Sequence, residues 1–127
     1  MGNGPSWGRR WVTQQLALEH ARKRRDTLAL ACRDWNLRLQ HGGTLRPSPT
    51  IGEAIDAGYS FLRVACTSCR RRAFVALASM RGPTDTDLWK LEESLACTHC
   101  RERVTFPPRA RIERLTRDTL DVGWVER

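Results

Sequence analysis

No stretch of this 127-residue chain approaches the roughly 18–20 consecutive apolar residues that a membrane-spanning helix needs, so no membrane partner is expected. The opening residues, Met1-Gly2-Asn3-Gly4-Pro5-Ser6-Trp7, lack the apolar core of a secretory signal, and the expected compartment is cytoplasmic. Signatures of catalysis are missing as well. Ser60, Ser68, Ser79 and Ser94 have no glycine-elbow context, and His20, His41 and His99 have no carboxylate at useful spacing. There is no glycine-rich phosphate loop and no H-E-x-x-H. The expectation is a protein that is not an enzyme, with no small-molecule substrate.

Lysine is nearly absent too. Of 22 basic residues only Lys23 and Lys90 are lysine and the other 20 are arginine, against 14 acids, for a net charge of +8 and a pI near 10.2. Arginine recognises phosphate and carboxylate through a planar fork and stacks on bases, which fits a nucleic-acid binder. A GC-rich genome would produce the same bias whatever the function, and both readings stand. The densest runs are Arg22-Lys23-Arg24-Arg25, Arg70-Arg71-Arg72 and the series Arg101, Arg103, Arg109, Arg111, Arg114, Arg117.

From Arg9 to Leu39 there is neither proline nor glycine, and apolar residues fall at helical spacing. Val12, Leu16 and His20 form one stripe; Leu28, Ala31, Cys32, Trp35 and Leu39 form a better one expected to pack on the rest of the protein. Asp26-Thr27 could cap a new helix, so one long helix and two shorter ones are both compatible with the pattern. His41-Gly42-Gly43 ends the region. Thr50-Ile51-Gly52-Glu53 reads as a capping box opening a short helix with Ile51, Ala54 and Ile55 inward, stopped at Gly58. From Tyr59 the period becomes two, with Phe61 and Val64 on a strand leading into Cys66 and Ala73–Leu77 as the returning strand. Thr84 or Asp85 would cap a helix with Leu88, Leu91 and Leu95 on one face. Val104-Thr105-Phe106 reads as a strand, and Arg109 to Arg117 as a short basic helix with Ile112 and Leu115 inward.

Four of the five cysteines stand in matched pairs, Cys66-Thr67-Ser68-Cys69 and Cys97-Thr98-His99-Cys100, with 27 residues between them. A C-x2-C turn points two sulfurs into one site while its backbone N–H groups aim at them. Two such turns complete the tetrahedron of thiolates that structural zinc prefers. Disulfides are disfavoured in a cytoplasmic setting. Tetrathiolate iron of the rubredoxin type uses nearly the same spacing, but those knuckles usually carry glycine after the second cysteine, where Arg70 and Arg101 stand here. One structural Zn2+ on Cys66, Cys69, Cys97 and Cys100 is therefore expected, with iron less favoured. A positive φ at either arginine would cost roughly 1–2 kcal/mol. Four thiolates and one dication carry −2, so Arg70, Arg71, Arg72, Arg101 and Arg103 also have a role as compensating charge. Cys32 reads as a buried small residue rather than a ligand.

From Ser48 to about Leu115 the chain resembles short, uncharacterised bacterial zinc-ribbon-like proteins with two C-x2-C knuckles. The resemblance is carried by Ser48-Pro49-Thr50-Ile51, Ala57-Gly58-Tyr59, Leu62-Arg63-Val64-Ala65-Cys66, Cys69, Leu91-Glu92-Glu93-Ser94-Leu95-Ala96-Cys97 and Cys100. It implies a zinc-binding module and no particular activity. The expected fold is small, metal-binding α+β: a helical N-terminal arm, then a zinc-ribbon-like core with short antiparallel strands and a helix between the two knuckles. The expected boundaries are a flexible start over 1–8, a helical region over 9–40, a linker with the short capped helix over 41–58, the zinc-ribbon-like domain over 59–106 and a basic segment over 107–127. The expected function is a non-catalytic structural-zinc module with a basic surface that binds nucleic acid. That surface would draw on Arg70, Arg71, Arg72, Arg101, Arg103, Arg109, Arg111 and Arg114, with Phe106 or Trp89 as stacking groups. The alternatives are a protein–protein adapter using the N-terminal helix with Trp11 and Trp35, and a thiol redox or iron electron-transfer protein.

Overall fold

A computed structural model describes residues 6–103, 105, 108–117 and 125–126, with backbone alone at 6–8 and 125–126. Helix α1 (Ser6–Gln40) is one continuous run of 35 residues, about 50 Å long at ~1.5 Å per residue. It begins three residues before the expected start. Asp26-Thr27 do not break it, because the Thr27 hydroxyl turns back to the Lys23 carbonyl (2.9 Å) and leaves the backbone ladder intact. Among the described side chains, only those of the second half pack. Cys32 and Trp35 are buried, Leu28 and Leu39 are half-buried, and the Trp35 indole N–H donates to the Leu45 carbonyl at 3.0 Å. Ala31, expected in that stripe, is exposed, as are Val12, Leu16 and His20 of the first stripe.

Helix α2 (Ile51–Asp56) opens with the capping box its sequence predicts: the Glu53 N–H donates to Thr50 Oγ1 (3.1 Å) and the Thr50 N–H to Glu53 Oε1 (3.0 Å). Ile51 and Ala54 are buried, whereas Ile55 faces out. Gly52 is needed for close approach. Its N–H donates to the Thr84 carbonyl at 2.8 Å, and a Cβ there would lie only 3.1 Å from that oxygen.

Strands β1 (Phe61–Cys66) and β2 (Arg72–Ala76) form the expected antiparallel pair, and β3 (Leu95–Ala96) precedes the second cysteine pair. A one-turn helix, α3 (Thr98–Arg101), carries that pair. The segment expected as a basic helix is instead strand β4 (Ala110–Thr116), which pairs antiparallel with β1 to give the order β2-β1-β4. The misleading signal was the three-residue step from Ile112 to Leu115. A bulge inserts Glu113 opposite the Arg63/Val64 step, so Ala110, Ile112 and Leu115 all face the core without helical geometry. The helix expected after Gly82-Pro83 is a 3₁₀ helix, Leu88–Glu93, preceded by Asp87, with no side-chain cap from Thr84 or Asp85. A repeat of three per turn suits Leu88 and Leu91, both buried, while Leu95 belongs to β3, which pairs with β5 (Val125–Glu126). Of the expected strand Val104–Phe106, Val104 and Phe106 lie outside the described residues and Thr105 is in a bend.

Among the described residues, the outer edge of β4 is closed by side chains rather than by another strand. Asn36 of α1 accepts from the Leu115 N–H (2.7 Å) and donates to the Leu115 carbonyl (3.1 Å), while Glu92 accepts from the Ile112 N–H (3.0 Å). One core, with Trp35, Ile51, Leu62, Leu77, Leu88, Leu95 and Leu115 at its centre, therefore joins α1, α2 and the sheet. Among the described residues no helix is long and apolar enough to cross a membrane.

Candidate metal centre

The two cysteine pairs meet at one end of this core. Cys66 closes β1, Cys69 follows in the turn toward β2, Cys97 precedes α3 and Cys100 lies within it. The four sulfurs all lie within 4.8 Å of one another, with Cys66 Sγ 3.7 Å from Cys100 Sγ and Cys69 Sγ 3.6 Å from Cys97 Sγ. A disulfide needs about 2.05 Å, so these are free thiols. A tetrahedral ion with Zn–S bonds of about 2.3 Å places its sulfurs roughly 3.8 Å apart, and the cross-pair separations match that edge. Cys66, Cys97 and Cys100 are buried members of the main core cluster and Cys69 packs against it. The site is continuous with the fold.

The two knuckles differ in construction. In the first, the N–H groups of Ser68 and Cys69 both donate to Cys66 Sγ at 3.4 Å, and the turn closes through Arg70 N–H to the Cys66 carbonyl and Cys66 N–H to the Arg71 carbonyl. This geometry forces Arg70 to φ +61, the left-handed conformation that the missing glycine would have taken freely. Arg101 escapes that strain: the second knuckle is the one-turn helix α3, closed by Arg101 N–H to the Cys97 carbonyl at 2.8 Å. The backbone of Arg109 holds the knuckles side by side. Its carbonyl accepts from the Thr67 hydroxyl (3.0 Å) while the residue bridges Ala96, next to Cys97.

Proton affinities within the cluster are split. Burial raises the Cys66 thiol, but the N–H groups of Cys69 and Ser68 and the neighbouring thiols outweigh it and bring it down to about 7. Burial and the adjoining thiols push Cys100 up to about 12, and burial also raises Cys97. Four like charges cannot share this volume unaided. A dication would expel the remaining protons and bind all four sulfurs.

The expected arginines separate into groups. Arg70, Arg72 and Arg111 line a depression of about 410 Å³ beside Cys66 and Thr67. Arg111 and Arg114 line a second, of about 510 Å³, against the C-terminal part of α1. Arg71, Arg101, Arg103 and Arg109 are exposed and line neither. Arg33 and Arg63 also line the second depression and were missed by the sequence reading, although period-two parity along β1 places Arg63 on the same face as Ala65. Glu113, the bulge residue, accepts from Arg63 Nε (2.8 Å) and lies 3.2 Å from Arg72 Nε, which fixes two of these guanidinium groups. Trp89 is stacked under the Arg46 guanidinium at 3.6 Å, and Phe106 lies outside the described residues. The two expected anchors part company, since Trp35 is 1% exposed and Trp11 60%. Compared with models of known families, curated proteins and solved structures, the chain matches none.

Proposed function

We propose that this chain is a non-catalytic structural-zinc module, akin to the bacterial zinc-ribbon-like proteins it resembles, whose basic surface binds nucleic acid. The observation that carries the first part is the convergence of four sulfurs within 4.8 Å of one another at one end of the hydrophobic core. Four thiolates close the coordination sphere and leave no open position for substrate, which supports a structural ion over a catalytic one. Zinc is favoured over iron because the knuckles carry arginine in place of glycine and the chain is strongly basic. Nucleic acid is favoured as partner because six arginines, Arg33, Arg63, Arg70, Arg72, Arg111 and Arg114, line the two depressions beside the sheet.

Metal analysis of protein purified without added metal tests the first part: one colourless zinc per chain is expected, and a coloured iron protein would turn the reading toward electron transfer. Oligonucleotide binding across a salt series tests the second. Affinity should fall linearly on a log–log plot, with a slope set by the number of phosphates contacted. An adapter role is the second reading, favoured by Trp11 and Leu18, which stand 60% and 63% exposed on the first half of α1.

A further inference from the structure

The face of the sheet turned away from the core has a composition that neither its charge nor the metal site requires. On β1 the side chains alternate, with Leu62, Val64 and Cys66 inward and Phe61, Arg63 and Ala65 outward. Directly opposed residues of antiparallel strands share a face. Arg63 therefore lies between Phe74 of β2 and Arg114 of β4, and Ala65 between Arg72 and Arg111. The small side chain of Ala65 leaves a dip, with arginines on both sides about 10 Å apart across two strand spacings. The two depressions meet here, since both are lined by Arg111 and Glu113, and they form one trough from Arg33 on α1 to Arg70 at the first knuckle.

Six arginines line this trough against one acid, Glu113, which is already engaged by Arg63 and Arg72. The flanking aromatics Phe61 and Phe74 are only half-buried. Arg70 adds an independent indication. A left-handed position beside the cysteine cluster is one where glycine is free of strain, yet the residue there is an arginine that lines the trough.

We infer that this outer sheet face is a single-strand nucleic-acid platform, with the arginine trough on the phosphates and Phe74, next to Arg63, stacking a base. The inference rests on the nucleic-acid reading above and narrows it to single strands and to these residues. A flat, half-buried ring suits an unpaired base, whose faces are free, and not a duplex, whose bases already stack on one another.

The test uses the metal-loaded full chain, with a labelled oligothymidylate and a mixed-sequence duplex of equal length. The expected result is preference for the single strand. Phe74→Leu, which keeps apolar bulk, should weaken binding at least about fivefold, the low end of one lost base stack. Arg111→Gln combined with Arg114→Gln should reduce the log–log salt slope by about 1.4, from two single-strand phosphate contacts at ~0.7 each. Arg70→Gly should weaken binding while raising the thermal midpoint, a combination that a purely structural arginine would not give. Equal losses from Arg9→Gln with Arg10→Gln, at the far end of α1, or a preference for duplex, would overturn the platform and leave the nucleic-acid reading standing. Polyglutamate competing as well as the oligonucleotide at equal charge would overturn the choice of nucleic acid. No binding by an intact, metal-loaded fold would overturn both.

Discussion

Arg70 and Cys32 are two residues whose surroundings make opposite demands on side-chain chemistry. Arg70 holds φ +61 in a knuckle that glycine would accept without a Cβ clash. Arg70→Gly should therefore stabilise the metal-loaded protein by about 1 kcal/mol in urea unfolding, even though it removes a charge near four thiolates. Cys32 is fully buried on α1, and burial, with Glu53 adding to it, raises its thiol from the ordinary 9.0 to about 11. In the unfolded chain the thiol ionises near 9, so the folded state holds the proton more tightly. The resulting stabilisation is complete below pH 9 and is lost as pH rises toward 11. Between pH 8 and 10.5 the wild type should lose on the order of 2 kcal/mol more than Cys32→Ala, whose reference stability is measured at pH 8. The bound sulfurs contribute equally to both proteins and cancel in the comparison.

Element by element, legibility follows how local the deciding interaction is. The Thr50–Glu53 capping box and the β1–β2 pair were readable because their partners lie within a few residues or show a clean period of two. The cysteine cluster was readable across 27 intervening residues because metal-ligand spacing is a chemical motif rather than a packing pattern. Strand β4 was not, because the bulge at Glu113 turns strand parity into a three-residue step and because its edge is satisfied by Asn36, 79 positions from Leu115. Nothing near Leu115 announces that partner. Asn36→Ala leaves the Leu115 N–H and carbonyl without it and should cost about 1–3 kcal/mol while metal content stays that of the wild type. The first half of α1 behaves oppositely. At 100° per residue Trp11 and Leu18 fall on one line and Val12 and Leu16 on another, all exposed, so no single apolar face forms there. Removing residues 1–20 keeps the Arg24–Asp56 pair (2.7 Å) and the packed half, and should change unfolding free energy by no more than about 0.5 kcal/mol.

For the molecule as a whole, the decisive comparison is between the metal and the core as sources of stability. A structural tetrathiolate zinc contributes on the order of 10–16 kcal/mol of apparent folding free energy, as large as the whole net stability of a typical domain at ~5–15. Three of the four sulfurs are buried in the same cluster as Leu62, Val64 and Leu95, so losing a bound ion would also disturb apolar packing. Binding requires thiolates. Without the ion, Cys97 and Cys100 are held protonated, Cys100 up to about 12, so zinc uptake at pH 7.5 should release at least two protons per ion, measurable in a weak buffer. In a metal-loaded protein the dication would depress all four thiols far below their unfolded value, so stability should be present above that range and lost as pH falls through it. Acid titration monitored by near-ultraviolet circular dichroism and by a colorimetric zinc indicator should then give one coincident transition. Cys97→Ser, by vacating one corner of the tetrahedron, should move that transition to higher pH and reduce the cooperativity of the sheet. The exposed half of α1 should retain part of its helical signal throughout, because its side chains from Arg9 to Arg22 are exposed and take no part in the core.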